Sequence, residues 1–591
     1  MKQLIPSRPR LLPLAPTILA TLLSGTATAQ GPTLVSSSPA RNAVAVPAAG
    51  SVGLTFSQAV SAASAGNVRV FGSMRQGLRT GTLSGGGSSA LTFQPQQAFM
   101  PGEQVSVTVP ATVQGTAGAA ATPYVYQFRA ASAPATATFS GTTNTAIGNN
   151  AGAPSAVQVA DLNGDGNLDL VLGDGLGNNL DVRLGNGQGG FGASTNYNFG
   201  TIPGQIITAD VNNDNKLDLV VSNNGGVTRY VHVALGDGQG AFGTPVALTL
   251  PSIIQSMAVV DVNGDGNLDI LTFNGPPTFS LDPRTVSVRL GNGTGQFTAL
   301  PDLPMGTTSK VMATGDIDND GKMDFVLADF TQSTVQAYFG DGAGGFTVSA
   351  AAALSVGANP GSVILADLNN DGNLDVATAS TSANSVSVSL GNGRGGFAAA
   401  STQALTSGRT PMKLQAADVD GDADLDLLVA NNGRTGAAPF PADVVNVLLN
   451  GGQAAFTAGS PVPVDLIPVD MAVGDLNNDG TLDLLTINRN NFTYSLRTNA
   501  RVTAKKAARE ELPLAVYPNP AREELTLELP GGSGRATVEI LSALGQRVRS
   551  FTPTVAGNGR VQLPLQSLQA GMYLVRVSTA AGTATRQFMV E

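Results

Sequence analysis

Seven short acidic segments recur along the chain with metal-ligand side chains at alternate positions. They comprise Asp161, Asn163, Asp165, Asn167 and Asp169; Asp210, Asn212, Asp214, Lys216 and Asp218; Asp261, Asn263, Asp265, Asn267 and Asp269; Asp316, Asp318, Asp320, Lys322 and Asp324; Asp367, Asn369, Asp371, Asn373 and Asp375; Asp418, Asp420, Asp422, Asp424 and Asp426; and Asp475, Asn477, Asp479, Thr481 and Asp483. Positions 1, 3, 5 and 9 offer side-chain oxygen, and position 7 offers its backbone carbonyl whatever its side chain. With a residue that tolerates positive φ at position 6, such a segment folds into a tight oxygen cage for a hard cation. Six to eight oxygens in flexible geometry is the preference of Ca²⁺, so up to seven calcium ions are expected. Without a cation each segment gathers at least three carboxylates, and like charges about 4 Å apart repel by roughly 4 kcal/mol per pair at an effective dielectric near 20.

An EF-hand opens with the same residues, but it needs a bidentate acid at position 12 and flanking helices. Here position 12 is Leu172, Val221, Thr272, Leu327, Thr378, Val429 or Thr486, and the flanks alternate as strands do, as in SAVQVAD. Two copies depart at position 6. Asn215 accepts the left-handed region, whereas Ala423 accepts it less well, so the sixth loop is expected to be the most altered.

The elements that position these loops follow from their period. The first aspartates lie 49, 51, 55, 51, 51 and 57 residues apart, the size of one four-stranded unit in a repeat architecture. About twenty residues before each loop stands a phenylalanine, usually ending a glycine-rich turn: Phe139, Phe191, Phe242, Phe297, Phe346, Phe397 and Phe456. One unit therefore reads strand, acidic loop, strand, turn, strand, glycine-rich turn and a last strand beginning at phenylalanine. The seventh unit runs out through NFTYSLRTNA without that last strand, while Phe139 precedes the first unit and belongs to none before it. The two defects are complementary. A closed ring is expected in which the strand near Phe139 completes the seventh blade, because closure protects sheet edges that an open array exposes.

The repeats resemble the FG-GAP/VCBS class of calcium-loop blades also found in the propeller of integrin alpha chains, over about residues 135–499. The resemblance implies a β-propeller whose calcium loops line one face of the disc and whose partners meet the opposite face.

The flanks divide the rest. Residues 1–29 read as a secretory signal peptide, with a basic head, a short apolar stretch and Ala27-Thr28-Ala29 before the cut. Residues 31–131 carry period-2 runs such as VGLTFS, VSVTVP and YVYQFRA and resemble a bacterial Ig-like domain, which implies a β-sandwich used as a spacer. A charged linker occupies 500–512. Residues 513–591, with Tyr517-Pro518-Asn519-Pro520, Gly545 and Gly571 before Tyr573, resemble the C-terminal sorting domain of type IX secretion, whose machinery is then an implied partner. The fold class expected is all-β: a seven-bladed β-propeller flanked by two small β-sandwich domains.

Composition narrows the function. The chain has 42 acidic and 32 basic residues, and 24 of the 42 acids sit in the loops, so its acidity is read as ion ligation and nothing indicates nucleic acid. No cysteine is present to staple an exported fold, which leaves metal for that role. No segment after the leader is long and apolar enough to cross a bilayer. The single histidine, His232, lies in the alternating run RYVHVAL and reads as a strand residue rather than a general base. Two long connections, Phe273 to Arg284 and Asn431 to Asp443, carry Pro, Phe and Arg and are candidates for exposed binding loops. The expected function is a secreted or surface-attached, calcium-binding adhesion protein for a glycan or protein ligand, and not an enzyme. The alternatives are a polysaccharide-processing lyase or hydrolase, or its accessory subunit, and a structural spacer without a ligand.

Overall fold

The computed structural model describes residues 30–591 except 148–152, 176, 201, 224–228, 276–283, 306–308, 406, 408–409, 433–442, 503–513, 529–533, 543–546, 556–558, 567 and 580–581. The leader, most of the charged linker, the middles of both long connections and Gly545 thus lie outside the described residues. Apart from a 3-10 turn at Ala65–Asn67, the described elements are strands.

Among the described residues, the acidic repeats fold into seven antiparallel sheets, each with four strands in sequential order except the last. The first is typical: an inner strand Pro154–Ala160, then Asp169–Asp174, Asn179–Arg183 and an outer strand Thr195–Asn198. The inner strands, Pro154–Ala160, Pro203–Ala209, Ile254–Val260, Ser309–Gly315, Pro360–Ala366, Pro411–Ala417 and Pro468–Gly474, neighbour one another in turn, and the seventh lies against the first. Each second strand is buried along its whole length. That explains the near-continuous apolar runs after each ninth-position aspartate, since these strands are covered on both faces by adjoining blades. Phe273 and Phe325 fill such interfaces completely. Phe273 and Asn431, expected at the start of exposed loops, are instead strand residues with no exposed surface, so both insertions begin later than the sequence pattern indicates.

The ring closes as the complementary defects require. The seventh sheet takes its outer strand from before the first blade: Ala135–Ser140 and Asn144–Ala146 both pair with Thr493–Arg501. Phe139 faces Asn499 in the register in which Phe297 faces Gly291 and Phe456 faces Asn450. The borrowed strand thus copies the native outer strand, including its division into two pieces. In blades three, four and six a short piece begins at the phenylalanine, and a second piece pairs farther along. In blades one, two and five Phe191, Phe242 and Phe397 make only single bridges, and the continuous strand starts later. First and last blades share one apolar core, in which Val157, Leu170 and Leu172 meet Leu485 and Ile487, and Phe191 stands edge-on to Tyr494 at 5.9 Å.

Residues 34–129 form the two facing sheets of a sandwich around Val52, Leu54, Phe56, Leu91, Val105, Val107 and Phe128. The C-terminal segment from Ala515 to Val590 is a third all-β unit with its own core of Leu525, Leu527, Val538, Ile540, Val575, Val577 and Phe588.

Candidate metal centres and the domain that covers them

All seven loops share one hydrogen-bond plan. The position 1 carboxylate accepts the backbone N–H of position 6 through Oδ2, as in Asp161 from Gly166 at 3.0 Å and Asp418 from Ala423 at 3.1 Å. The position 5 carboxylate accepts from position 7, as in Asp265 from Asn267 at 2.8 Å. Position 9 is an anchor as well as a ligand candidate. Its Oδ2 accepts the N–H of position 2 and its Oδ1 the N–H at the end of the third strand, as in Asp169 from Leu162 at 2.8 Å and from Gly185 at 2.7 Å. The same pair of bonds recurs at Asp218, Asp269, Asp324, Asp375, Asp426 and Asp483. Each oxygen keeps a further lone pair for a cation.

Loop six is not distorted. Ala423 adopts φ 75° and keeps the standard bonds, because the carboxylate plan fixes the turn more strongly than the methyl group opposes it. A second left-handed residue was not anticipated. Position 4 also has positive φ in every copy, at Gly164, Asn213, Gly264, Asn319, Asn370, Gly421 and Asn478. The signal was available, since only glycine and asparagine occur there.

Position 4 also ties four of the seven loops to the next. Asn213 donates to Asn267 at 2.8 Å, Asn319 to Asn373 at 2.8 Å, Asn370 to Asp424 at 2.6 Å, and Asn478 of the last loop to Asn167 of the first at 2.6 Å. Where position 4 is glycine, the next loop's position 7 is Lys216, Lys322 or Thr481. None of these side chains reaches the preceding loop: Lys322 Nζ lies 2.7 Å from Asp320, Lys216 Nζ 3.6 Å from Asp214, and Thr481 bonds Asp479 at 2.5 Å and the Asn499 carbonyl at 3.3 Å. Position 7 side chains therefore serve the belt or the loop, and only their carbonyls remain as candidate ligands. Asn478→Gly removes the closing bond without disturbing the backbone angle. A loss of about 1 kcal/mol, or roughly 2–4 °C in melting temperature, is expected by calorimetry. An unshifted midpoint would show the belt to be idle.

Burial falls from position 9 to position 5. The ninth-position aspartates are at most 1% exposed and those at position 1 are buried, whereas Asp165, Asp214, Asp265, Asp320 and Asp422 reach solvent. Desolvation pushes the inner carboxyls up, to about 8 at Asp269, Asp375 and Asp426 and to about 7 at Asp169, Asp218, Asp324 and Asp483. At position 1, burial raises Asp261 to about 6 and Asp316, Asp367 and Asp418 to about 7. The donor set fits a hard cation. In two loops three carboxylates, Asp316, Asp318 and Asp324 or Asp418, Asp420 and Asp426, bring oxygens within 4.8 Å of one another, and in loop one Asp161 Oδ1 is buried with no hydrogen-bond partner. These carboxylate groups can hold a metal ion.

The N-terminal sandwich is not a detached spacer, for it lies across the loop face, and together with the segment that leads out of it, Ser132 and Ala133, it touches all seven loops. Arg75 Nε pairs with Asp161 at 3.0 Å, and Leu78 N–H donates to Asp210 at 3.1 Å. Pro123 packs on Gly264. Val125 N–H donates to the Gly321 carbonyl at 2.8 Å, and the Tyr124 ring lies so close that a Cβ at position 321 would sit 2.2 Å from it. Asn42 bonds Gly372 at 3.0 Å, Ser132 bonds the Asp418 carbonyl at 2.8 Å, and Ala133 N–H bonds Gly480 at 2.7 Å. Behind Arg75, the fully buried Glu103 pairs with Arg79 and accepts the N–H groups of Met74 and Arg75 at 3.1 and 3.2 Å, which fixes the turn that reaches loop one. His232 is buried in its strand, edge-on to Phe199 and Tyr230, and burial lowers its pKa.

Comparison with known proteins agrees with this division. A bacterial Ig-like domain model matches residues 28–130 and a secretion system C-terminal sorting domain model matches 515–591. No curated protein matches. Among solved structures, BBS1N in complex with ARL6DN is 15% identical over 62% of this chain and 98% of its own, with a TM-score of 0.43. A functionally unknown protein from Desulfotomaculum acetoxidans DSM 771 is 11% identical over 66% of this chain and 96% of its own, with a TM-score of 0.39. A protein of unknown function from Bacteroides thetaiotaomicron VPI-5482 is 14% identical over 80% of this chain and 98% of its own, with a TM-score of 0.31. The sorting domain places the chain on a type IX secretion route, as a secreted or cell-surface protein. The FG-GAP-like repeat model matches residues 161–221, 210–272, 278–327, 316–378, 367–429 and 420–486, more than half of the chain, and the protein belongs to the FG-GAP-like repeat family.

Proposed function

We propose that the protein is a calcium-stabilised binding or adhesion module that engages an extracellular glycan or protein with the face of the ring opposite the acidic loops. The observation that carries this reading is the covered loop face. Because the Ig-like domain and the segment leading out of it cover the seven loops, the surface left for a partner is the one formed by the turns between second and third strands and by the links between blades. The strands that lead into both long insertions end on that side, at Asn274 and Asn431, since the strands after Asp269 and Asp426 run away from the loops. We propose no catalytic role for the histidine or the loop carboxylates. The single histidine is enclosed between aromatic rings, and the paired carboxylates are engaged by backbone N–H groups and suited to metal.

The test is binding of the full chain to a glycan array and to polysaccharides from its habitat, with calcium and with chelator. Binding that disappears when either long insertion is replaced by a two-residue turn is expected. Release of reducing or unsaturated sugars from a bound polysaccharide would overturn the binder in favour of an enzyme.

A further inference from the structure

The axis of the ring holds a cavity of about 330 Å³ between the inner strands and the underside of the Ig-like domain. At the loop end it is closed by Met74, Gln104, Gln127 and Arg129 of that domain. Arg129 has an unusual setting. Its guanidinium donates to Gln104 Oε1 at 3.2 Å and to the Gly102 carbonyl at 3.5 Å, and it has no carboxylate partner among the described residues. Gln104 passes the polarity on by donating to Gln127 at 2.5 Å. Two of the five guanidinium donors are thereby used, and Arg129 lines the cavity. Desolvation alone acts on this cation, lowering its pKa to about 10, so it stays charged at neutral pH.

The facing wall is amide-rich. Gln158 and Gln415 come from the inner strands of blades one and six, on either side of blade seven, and each secures its amide nitrogen on a ring partner: Gln158 on Thr208 at 3.3 Å and Gln415 on the Met471 carbonyl at 3.0 Å. Their carbonyl oxygens remain as acceptors for hydroxyl groups. No residue lining the cavity carries a negative charge. Farther from the loops, Lys413 and Asp470 form an ion pair at 3.0 Å, which adds no net charge near the open end. The cavity therefore presents one unneutralised cation, several amides and apolar walls from Val363, Ile364 and Ala472. A half-buried guanidinium without a carboxylate partner has lost part of its hydration, which an anion can replace, and its fork matches a carboxylate.

We infer that the axial cavity is a binding site for a small hydroxylated carboxylate of the uronate kind, with Arg129 on the carboxylate and the glutamine amides on the hydroxyls. This is a separate site from the long insertions and gives the binding reading a ligand charge. A cavity of this volume is at the lower end for ligand sites and suits a single sugar unit.

The probe is D-glucuronate, titrated calorimetrically into the full calcium-loaded chain, with D-glucose as the neutral counterpart. Glucuronate binding is expected with no measurable glucose binding. Arg129→Met should weaken it about tenfold or more, and Gln415→Leu, which lies in the ring and leaves the sandwich untouched, should weaken it several-fold. Melting curves identify a variant that misfolds, and Gln415→Leu then carries the result. Unchanged affinity in the folded variants, equal affinity for glucose, or no glucuronate binding by the native chain would overturn the assignment. Positive polysaccharide capture alongside any of these results would leave the insertion-face reading standing and remove only the axial site.

Discussion

Chelating divalent ions at pH 8 should lower the melting temperature of the ring by about 20 °C, and moving the chelated protein to pH 5 should recover part of that loss. A site with a dissociation constant near 0.1 mM in about 1 mM calcium contributes roughly 1.4 kcal/mol by mass action, so seven approach about 10 kcal/mol, comparable with the whole stability of a domain. At roughly 2–4 °C per kcal/mol the effect is large. The pH arm follows from the buried carboxyls. Those of Asp269, Asp375 and Asp426 lie near 8 in the ion-free fold, against 3.8 for an unperturbed aspartate. Between these values the folded chain binds more protons than the unfolded one, so stability falls as pH rises from about 4 to 8. Below about 4 the groups are protonated in both states and the penalty is absent. Calcium, by pairing with the ionised form, should remove this slope. Calorimetry at pH 5 and pH 8, with calcium and with chelator, separates the effects. Identical midpoints at pH 8 with and without chelator would refute calcium stabilisation.

Replacing residues 136–144 with a Gly/Ser/Pro segment of equal length should lower the melting temperature of all seven blades together, by about 10 °C. The replaced strand supplies the backbone pairing to Thr493–Arg501 and places buried Ala137 between blades. It also satisfies Arg497, which is 4% exposed and bonds the Thr143 carbonyl at 3.0 Å and Asn144 at 2.8 Å. Losing those acceptors strands part of a buried cation, at about 1–3 kcal/mol for each unmet bond, and the freed edge adds to it. Because the first and last blades share one core, damage there propagates around the ring. Hydrogen exchange should rise first in the seventh blade. Fraying confined to that blade with an unmoved midpoint would mean that the repeats stand as an open array.

Much of this architecture is legible in the residues because it repeats. Seven aspartate loops, seven phenylalanines and two complementary defects fix the sheets, their order and the borrowed strand, since period and register are carried by side-chain type. The position 4 rule was equally legible, as Asn478 and Asn167 are matched across the whole length of the ring, but it appears only when adjacent loops are compared. The docking of the Ig-like domain was not. Its contacts are made by backbone groups such as Val125 N–H and the Gly321 carbonyl, and by single side chains such as Arg75, none of which leaves a periodic trace. Asp161 could be read as a ligand, but not as the partner of an arginine eighty-six residues upstream.

The borrowed strand also sets an order of events during synthesis. Ala135–Ser140 is among the first parts of the ring to be made, yet its partner Thr493–Arg501 is the last, so the circle stays unlatched until every repeat has been made. The sorting segment begins at Ala515, shortly beyond that latch. The address is therefore completed only on chains that already contain both halves of the latch.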